Sequence, residues 1–192
     1  MDSPSVFDPN KTLSDDPVLL LGTLAWEVNS IYKAKYATPG ERIALSFHAA
    51  STAWHLHEWI WKAADQDKRQ QLRELTSCRN MSFSDFAVSV QRWAPSIGIC
   101  RQIATAYKHF TIRHDRPDVR LEVHHDPKRE EHAYWLMILG GGKKRVDVDV
   151  YLEALKAWSR LYVALGYESA KEIGETVVRQ YGALGDPRYP LG

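Results

Sequence analysis

The spacing of the apolar residues changes twice along this chain, and that change most constrains its fold. Residues 14–110 repeat apolar side chains at helical spacing, with breaks at 37–40 and at Pro95. Residues 119–150 instead alternate or form a continuous β-favouring run, and helical spacing returns from about residue 149. The pattern predicts a mostly helical α+β domain, in which a small antiparallel β-hairpin or three-stranded meander is inserted before the C-terminal helices of a bundle.

Capping residues, glycine and proline place the element boundaries. The predicted helices cover 14–36, 41–64, 68–75, 82–93, 96–110, 149–165 and 169–181, and the predicted strands cover 119–125, 132–139 and 144–150. The run at 132–139 is apolar on both faces, which is typical of a central strand. We therefore expect a single domain over 14–183, a flexible arm at 1–13 and a flexible tail at 184–192.

Composition excludes several classes of protein. The formal net charge is only +1, so no global field attracts nucleic acid or an anionic membrane. The two cysteines form no CxxC or zinc-like spacing, and the glycine-rich segment 140–143 lacks the pattern of a phosphate loop. The N-terminus is polar and acidic, and the longest apolar run is too short to span a bilayer. We expect a cytoplasmic protein that has no membrane partner and no cofactor.

The predicted helix at 41–64 has a polar stripe along one side. On a helical wheel this stripe contains His48, Ser51, Thr52, His55, Glu58 and Lys62. His48 and His55 are two turns apart, about 10 Å along the axis, which is too far to chelate one metal ion unaided. His57 lies in the opposite, apolar arc, which favours a core histidine bonded to a backbone carbonyl or a tyrosine hydroxyl.

The segment CRQIATAYKHF, residues 100–110, carries a second polar row on the helix at 96–110. Arg101, Thr105 and Lys108 share one side, and His109 lies beside them near the end of the helix. One interpretation is an ordinary helix surface, with cations in the last turn. The other is an anion-binding row in which Arg101 and His109 are catalytic. If the two polar rows meet, the ligand-binding residues are His48, His55, Glu58, Arg101, Thr105 and Lys108.

The charged segment 113–132 holds four of the eight histidines. The sequence His124-His125-Asp126 raises the question of a metal site. Neighbouring residues of a strand point to opposite faces, however, and Asp126-Pro127 is typical of a turn. The solvated turn is the favoured interpretation, and the sequence predicts no metal site.

Two motifs carry a resemblance to known families. SFHAASTAWHLHEWIW (46–61) and CRQIATAYKHF resemble a family of bacterial proteins without an assigned activity, over about residues 41–165, with Thr105 where that family often has Asn. This resemblance implies a bacterial origin. The pair Arg101-Gln102 followed by His109 also resembles the motif of HEPN-type helical domains, although the spacing here is longer. That resemblance implies a metal-independent ribonuclease.

Three functions follow as hypotheses, and they leave open whether the chain is an enzyme. The first is an interaction or regulatory protein with a polar His/Arg/Lys face on two helices, because seven tryptophans exceed the needs of an ordinary core and no strong catalytic motif is present. Its expected partners are a second copy of the chain in a homodimer, another protein, or RNA. The second is a HEPN-like ribonuclease or other phosphate-handling enzyme using Arg101, Lys108 and His109. The third is a small-ligand binder with a pocket lined by Trp and His.

Overall fold

A computed structural model describes residues 16–34, 37–109, 119–125, 134–140 and 143–183. Within these residues the chain forms seven helices and a three-stranded sheet: α1 (Val18–Lys33), α2 (Pro39–Ala63), α3 (Gln66–Thr76), α4 (Phe83–Trp93), α5 (Pro95–His109), β1 (Val119–His125), β2 (Tyr134–Gly140), β3 (Lys143–Val146), α6 (Asp147–Ala164) and α7 (Ser169–Ala183). The predicted mostly helical α+β class is confirmed. The predicted arm at 1–13 and tail at 184–192 lie outside the described residues.

Local capping determines where α2 begins. The Thr38 hydroxyl accepts a hydrogen bond from the Glu41 backbone N–H, and the Glu41 carboxylate accepts one from the Thr38 N–H. Pro39 occupies the first helical position, where its missing N–H costs nothing. The predicted start at Glu41 was therefore wrong by two residues, because the Thr-x-x-Glu capping box marks the boundary at Thr38.

The sheet is an antiparallel meander in the order β1-β2-β3. β2 lies in the centre, as its two apolar faces predicted, and its Ile138 pairs with Leu121 of β1. β3 is shorter than expected: it ends at Val146, and α6 begins at Asp147. The predicted strand over 144–150 was wrong beyond Val146, because the Asp147 carboxylate accepts the Val148 N–H and acids stabilise the first turn of a helix.

The core lies between α2 and α6, with the other helices and one face of β2 around them. α2 contacts α1, α4, α5, α6 and β2, so it is the central helix of the bundle. Trp158 of α6 is fully buried, and its indole N–H donates to the Ala53 carbonyl of α2 at 2.8 Å. Leu136 and Ile138 of β2 are also buried and attach the sheet to the bundle. In the part of the chain that the structure describes, no helix is long and apolar enough to cross a membrane.

Candidate interaction surface

A row of aromatic rings runs along the C-terminal half of α2 and the start of α4. The Trp54 ring stacks on His57 at a centroid distance of 3.9 Å, and His57 stacks on Phe83 at 5.2 Å. Trp61 continues the row, 6.4 Å from Phe83 and 5.1 Å from Phe86. Residues three and four apart on a helix share a face, which places Trp54, His57 and Trp61 side by side. We call these five side chains the aromatic row.

Each end of the aromatic row carries an arginine. The Arg101 guanidinium of α5 lies over the Trp54 ring at 5.6 Å, and the Arg69 guanidinium of α3 lies over Trp61 at 5.3 Å. Arg101 also donates to the Gln91 side-chain carbonyl at 2.9 Å, and Arg69 donates to the Trp61 backbone carbonyl at 3.2 Å. These bonds hold the two cations over the ring faces, where the negative ring quadrupole attracts them.

His57 is a buried, neutral member of the row. Only 4% of the residue is exposed, and its Nδ1–H donates to the Trp54 backbone carbonyl, which confirms the predicted core histidine. Burial lowers the pKa of the imidazole, and the bond to Trp54 offsets part of that decrease. Nearby Glu58 also opposes the decrease, whereas Arg101 adds to it. At neutral pH His57 is therefore an aromatic spacer between Trp54 and Phe83.

An exposed apolar patch adjoins the row at the start of α4. Met81 is 43% exposed, Phe83 39% and Val88 44%, although apolar side chains of this size usually lie in the core. Phe83 belongs to both sets, and Val88 lies five residues further along α4, about 140° around the helix from it. We call Met81, Phe83 and Val88 the apolar patch.

The charges around this surface are predominantly positive. Arg79, Arg92 and Arg101 are exposed, and none of them forms an ion pair with another described residue. Of the nearby acids, Glu58 pairs with Lys62 at 2.7 Å. Asp85 accepts hydrogen bonds from the neutral Ser82 and Asn80 side chains, which lower the pKa of its carboxyl and keep it ionised, so it offsets one of the three positive charges. The surface therefore carries uncompensated cations next to exposed apolar groups.

The structure places the residues of the predicted ligand site in different surroundings. α2 and α5 pack against each other, and Arg101 reaches α2 at Trp54. His55 is half-buried and hydrogen-bonded to Ser51, at 3.3 Å between Nδ1 and Oγ. His48 and Thr105 are exposed, and no hydrogen bond joins either one to another described candidate. The combined six-residue site stays a prediction.

The predicted catalytic pair lies on one continuous helix. α5 runs unbroken from Pro95 to His109, so His109 follows Arg101 by eight positions, about 12 Å along the axis. The side chains of Lys108 and His109 lie outside the described residues. Among the side chains that are described, no group of three or more His, Cys, Asp or Glu is placed to hold a metal ion. The ribonuclease hypothesis stays a prediction.

A buried polar cluster was missed in the sequence. Arg42 of α2 donates to the Ile31 carbonyl and to Asp147 Oδ1, the latter at 3.0 Å. One turn further along α2, the Ser46 and Tyr151 hydroxyls are hydrogen-bonded at 2.5 Å. Burial raises the pKa of the Asp147 carboxyl, and the Arg42 guanidinium opposes that increase. This cluster links α1, α2 and α6, and its bonded α2 and α6 side chains are 105 residues apart along the chain, so no local pattern revealed it.

A second buried acid lies between α1 and α2. Glu27 is 6% exposed, and burial raises the pKa of its carboxyl to about 7. The Thr52 hydroxyl donates to one carboxylate oxygen at 3.1 Å and offsets part of that increase. The other oxygen, Oε2, has no hydrogen-bond partner among the described residues. Glu27 therefore titrates near neutral pH.

Comparison with models of protein families, with curated proteins and with solved structures finds no match to this chain. Fold and surface together define a mostly helical α+β protein with an aromatic row, an apolar patch and nearby cations that form no ion pair with a described residue. The sequence pattern contained one signal for the surface, the spacing of Trp54, His57 and Trp61 on one side of α2, but the exposure of Phe83 had none.

Proposed function

We propose that this chain is an interaction or regulatory protein that binds a protein partner through the apolar patch and the two accessible rings of the aromatic row, Trp54 and Phe83. The observation that carries the proposal is the continuous series Arg101–Trp54–His57–Phe83, which ends in the exposed patch. Aromatic residues, Met and Arg are the side chains enriched in protein interfaces, and Trp and Arg dominate their binding energy. The ring-to-ring and ring-to-cation contacts restrict these side chains before binding, which reduces the entropy lost on association.

The charge of the surface favours an acidic partner. Arg79, Arg92 and Arg101 have no ion pair with a described residue, Glu58 is paired with Lys62, and the Asp85 carboxylate offsets one of the three positive charges. Complementary charge increases the rate of association and disfavours partners of like charge. A symmetric dimer through this face would bring the same cations together. We therefore infer that the partner is an acidic protein segment with aromatic or aliphatic side chains, and not a second copy of the chain.

Display of random peptides on phage, panned against the purified full chain, tests the proposal. The enriched peptides are expected to combine Asp or Glu with Trp, Phe or Leu, and their affinities are then measured by fluorescence anisotropy. Arg101→Ala and Val88→Ser are each expected to weaken binding about tenfold or more, equivalent to about 1.4 kcal/mol. Lys143→Ala and Val123→Ser are matched controls, since Lys143 is an exposed cation of β3 and Val123 is 42% exposed in β1.

Other results would replace the proposal with an alternative. Enrichment of neutral or basic peptides, or equal losses in the controls, would contradict it. A homodimer in analytical ultracentrifugation that Val88→Ser dissociates would make self-association the function of this face. EDTA-resistant RNA cleavage that is lost in folded Arg101→Ala and His109→Ala variants would instead establish the ribonuclease. Circular dichroism checks that every variant keeps its helical content.

A further inference from the structure

We propose that the groove between α6 and α7 binds an organic anion with an apolar body, of the class of medium-chain carboxylates. The groove has a volume of about 760 Å³, within the range of about 300–1,000 Å³ that is typical of small-molecule sites. It shares no residue with the aromatic row or the apolar patch. The inference is therefore independent of the proposed interaction function.

The floor of the groove forms where the two helices touch. The Ser159 hydroxyl of α6 donates to the Ala170 carbonyl of α7 at 2.5 Å. One turn further along α7, a Cβ added to Gly174 would lie only 2.5 Å from Ser159 Oγ. Glycine is therefore the residue that permits this close approach, and its missing side chain leaves the floor of the groove open.

Three cationic side chains line the groove. Lys156 and Arg160 lie four residues apart on α6, so they project from the same face, and Lys171 lies on α7. None of the three forms an ion pair with a described residue. Among the described residues of the lining the acid is Glu175, so cations outnumber carboxylates there by three to one. An anionic group on the ligand would compensate this excess charge.

Apolar surface lines the same groove. Val163 and Ala164 contribute it from α6, and the methylene stems of long cationic side chains add more. Ala164 also borders a neighbouring cavity of about 320 Å³, which Leu75 of α3 lines. A small inorganic anion would leave this apolar surface exposed to water, and an uncharged apolar molecule would leave the cations uncompensated. A ligand with an anionic group and an apolar body would compensate the cations and cover the apolar surface.

Equilibrium dialysis of the full chain against radiolabelled decanoate tests the inference directly. Acetate carries the same carboxylate without the chain, and decanol carries the chain without the charge. Decanoate is expected to bind at least tenfold more tightly than either probe. The double variant Arg160→Gln/Lys171→Gln is expected to weaken decanoate binding tenfold or more, whereas Lys143→Gln, at an exposed cation of β3, is expected to leave it unchanged.

Four results would contradict the inference. Decanol binding as tight as decanoate would reduce the groove to a nonspecific apolar surface, and acetate binding as tight would reduce it to surface charge. Undiminished decanoate binding by the double variant would place the ligand elsewhere. Absence of decanoate binding at millimolar concentration would overturn the inference. Arg160 and Lys171 are exposed, so the double variant is expected to fold, and circular dichroism checks this.

Discussion

The two halves of α2 place polar and aromatic side chains in opposite surroundings. In the N-terminal half, Arg42 and Ser46 are buried and bound to α6. In the C-terminal half, Trp54 is only half-buried and continues into the exposed Phe83. Polar groups usually face water and large rings usually lie inside. The reversal indicates that buried polarity determines which helices pair, while surface rings are available for a partner.

The two halves also differ in what their contacts contribute to stability. A buried ion pair such as Arg42–Asp147 contributes little net free energy, since desolvation offsets the attraction, but removal of one partner leaves an uncompensated charge. The exposed pair Glu58–Lys62 has no such penalty, because water solvates either charge. Loss of one charged partner should therefore be costly in the N-terminal half and tolerated at the exposed pair of the C-terminal half.

The largest expected effect is that of Asp147→Ala. It leaves the Arg42 guanidinium buried without its acid, and we expect a loss of about 3–5 kcal/mol in the free energy of unfolding. Urea denaturation followed by circular dichroism measures it. Glu58→Ala removes the exposed pair and is the matched control, with an expected loss of less than about 0.5 kcal/mol. Equal losses would remove the distinction between the two halves.

Glu27→Gln should change how stability depends on pH. The pKa of Glu27 is raised from 4.5 to about 7, so its contribution to stability is complete below pH 4.5 and is lost as the pH rises through 7. The glutamine variant lacks this loss, and at pH 8 it should be more stable than the wild type by about 2 kcal/mol, given about 1.4 kcal/mol per unit and incomplete burial. Urea denaturation at pH 5 and pH 8 measures both proteins. A constant difference between them would contradict the raised pKa.

A double-mutant cycle on Ser46→Ala and Tyr151→Phe should give an intermediate effect. Both hydroxyls are buried and bonded to each other, so the coupling energy is expected to be about 1 kcal/mol. Thermal or urea unfolding of the two single variants and the double variant measures it. The corresponding cycle on Ser51→Ala and His55→Ala, whose longer contact is only part-buried, should give a smaller value. A larger value there would reverse the comparison.

The contribution of His57 to stability should depend on pH in the opposite direction to that of Glu27. Burial lowers the pKa of its imidazole, so its contribution to stability is present above the ordinary value of 6.5 and is lost as the pH falls through the lower, folded-state value. The proton NMR signal of the His57 ring, assigned by comparison with His57→Gln, should therefore titrate with a midpoint below 6.5. A midpoint above 6.5 would mean that the ring is accessible to water and charged.

Phe83→Ser should have only a small effect on stability. Phe83 is 39% exposed, and removal of the ring should cost about 1 kcal/mol or less, well under the several kcal/mol typical of a core aromatic. Peptide binding in the anisotropy assay should nevertheless fall about tenfold. A large loss of stability, measured by urea denaturation, would make Phe83 a core residue and would remove the apolar patch from the binding surface.

The fold was largely predictable because its signals are local. The change from helical to alternating spacing predicted the meander, and the doubly apolar run predicted β2 as its centre. The alternation after Val146 led to a wrong prediction, because Val-Asp-Val-Asp-Val is compatible with both a strand and a first helical turn. The helix also depends on a distant residue, since Arg42 donates to Asp147 in that first turn. The surface was less predictable, because contacts such as Arg101 over Trp54 depend on how α2 and α5 pack together.

The direct passage of β3 into α6 has a mechanical consequence. β3 ends at Val146 and α6 begins at the next residue, Asp147, so no loop separates the two elements. Loops are the mobile segments that normally absorb displacement between elements. Asp147 is bonded to Arg42, and Trp158, three turns further along α6, is bonded to the α2 backbone. A force applied to the meander is therefore transmitted to the centre of the bundle within one helix length. A molecule that binds the sheet and displaces it would therefore also displace α2, without contacting α2 itself.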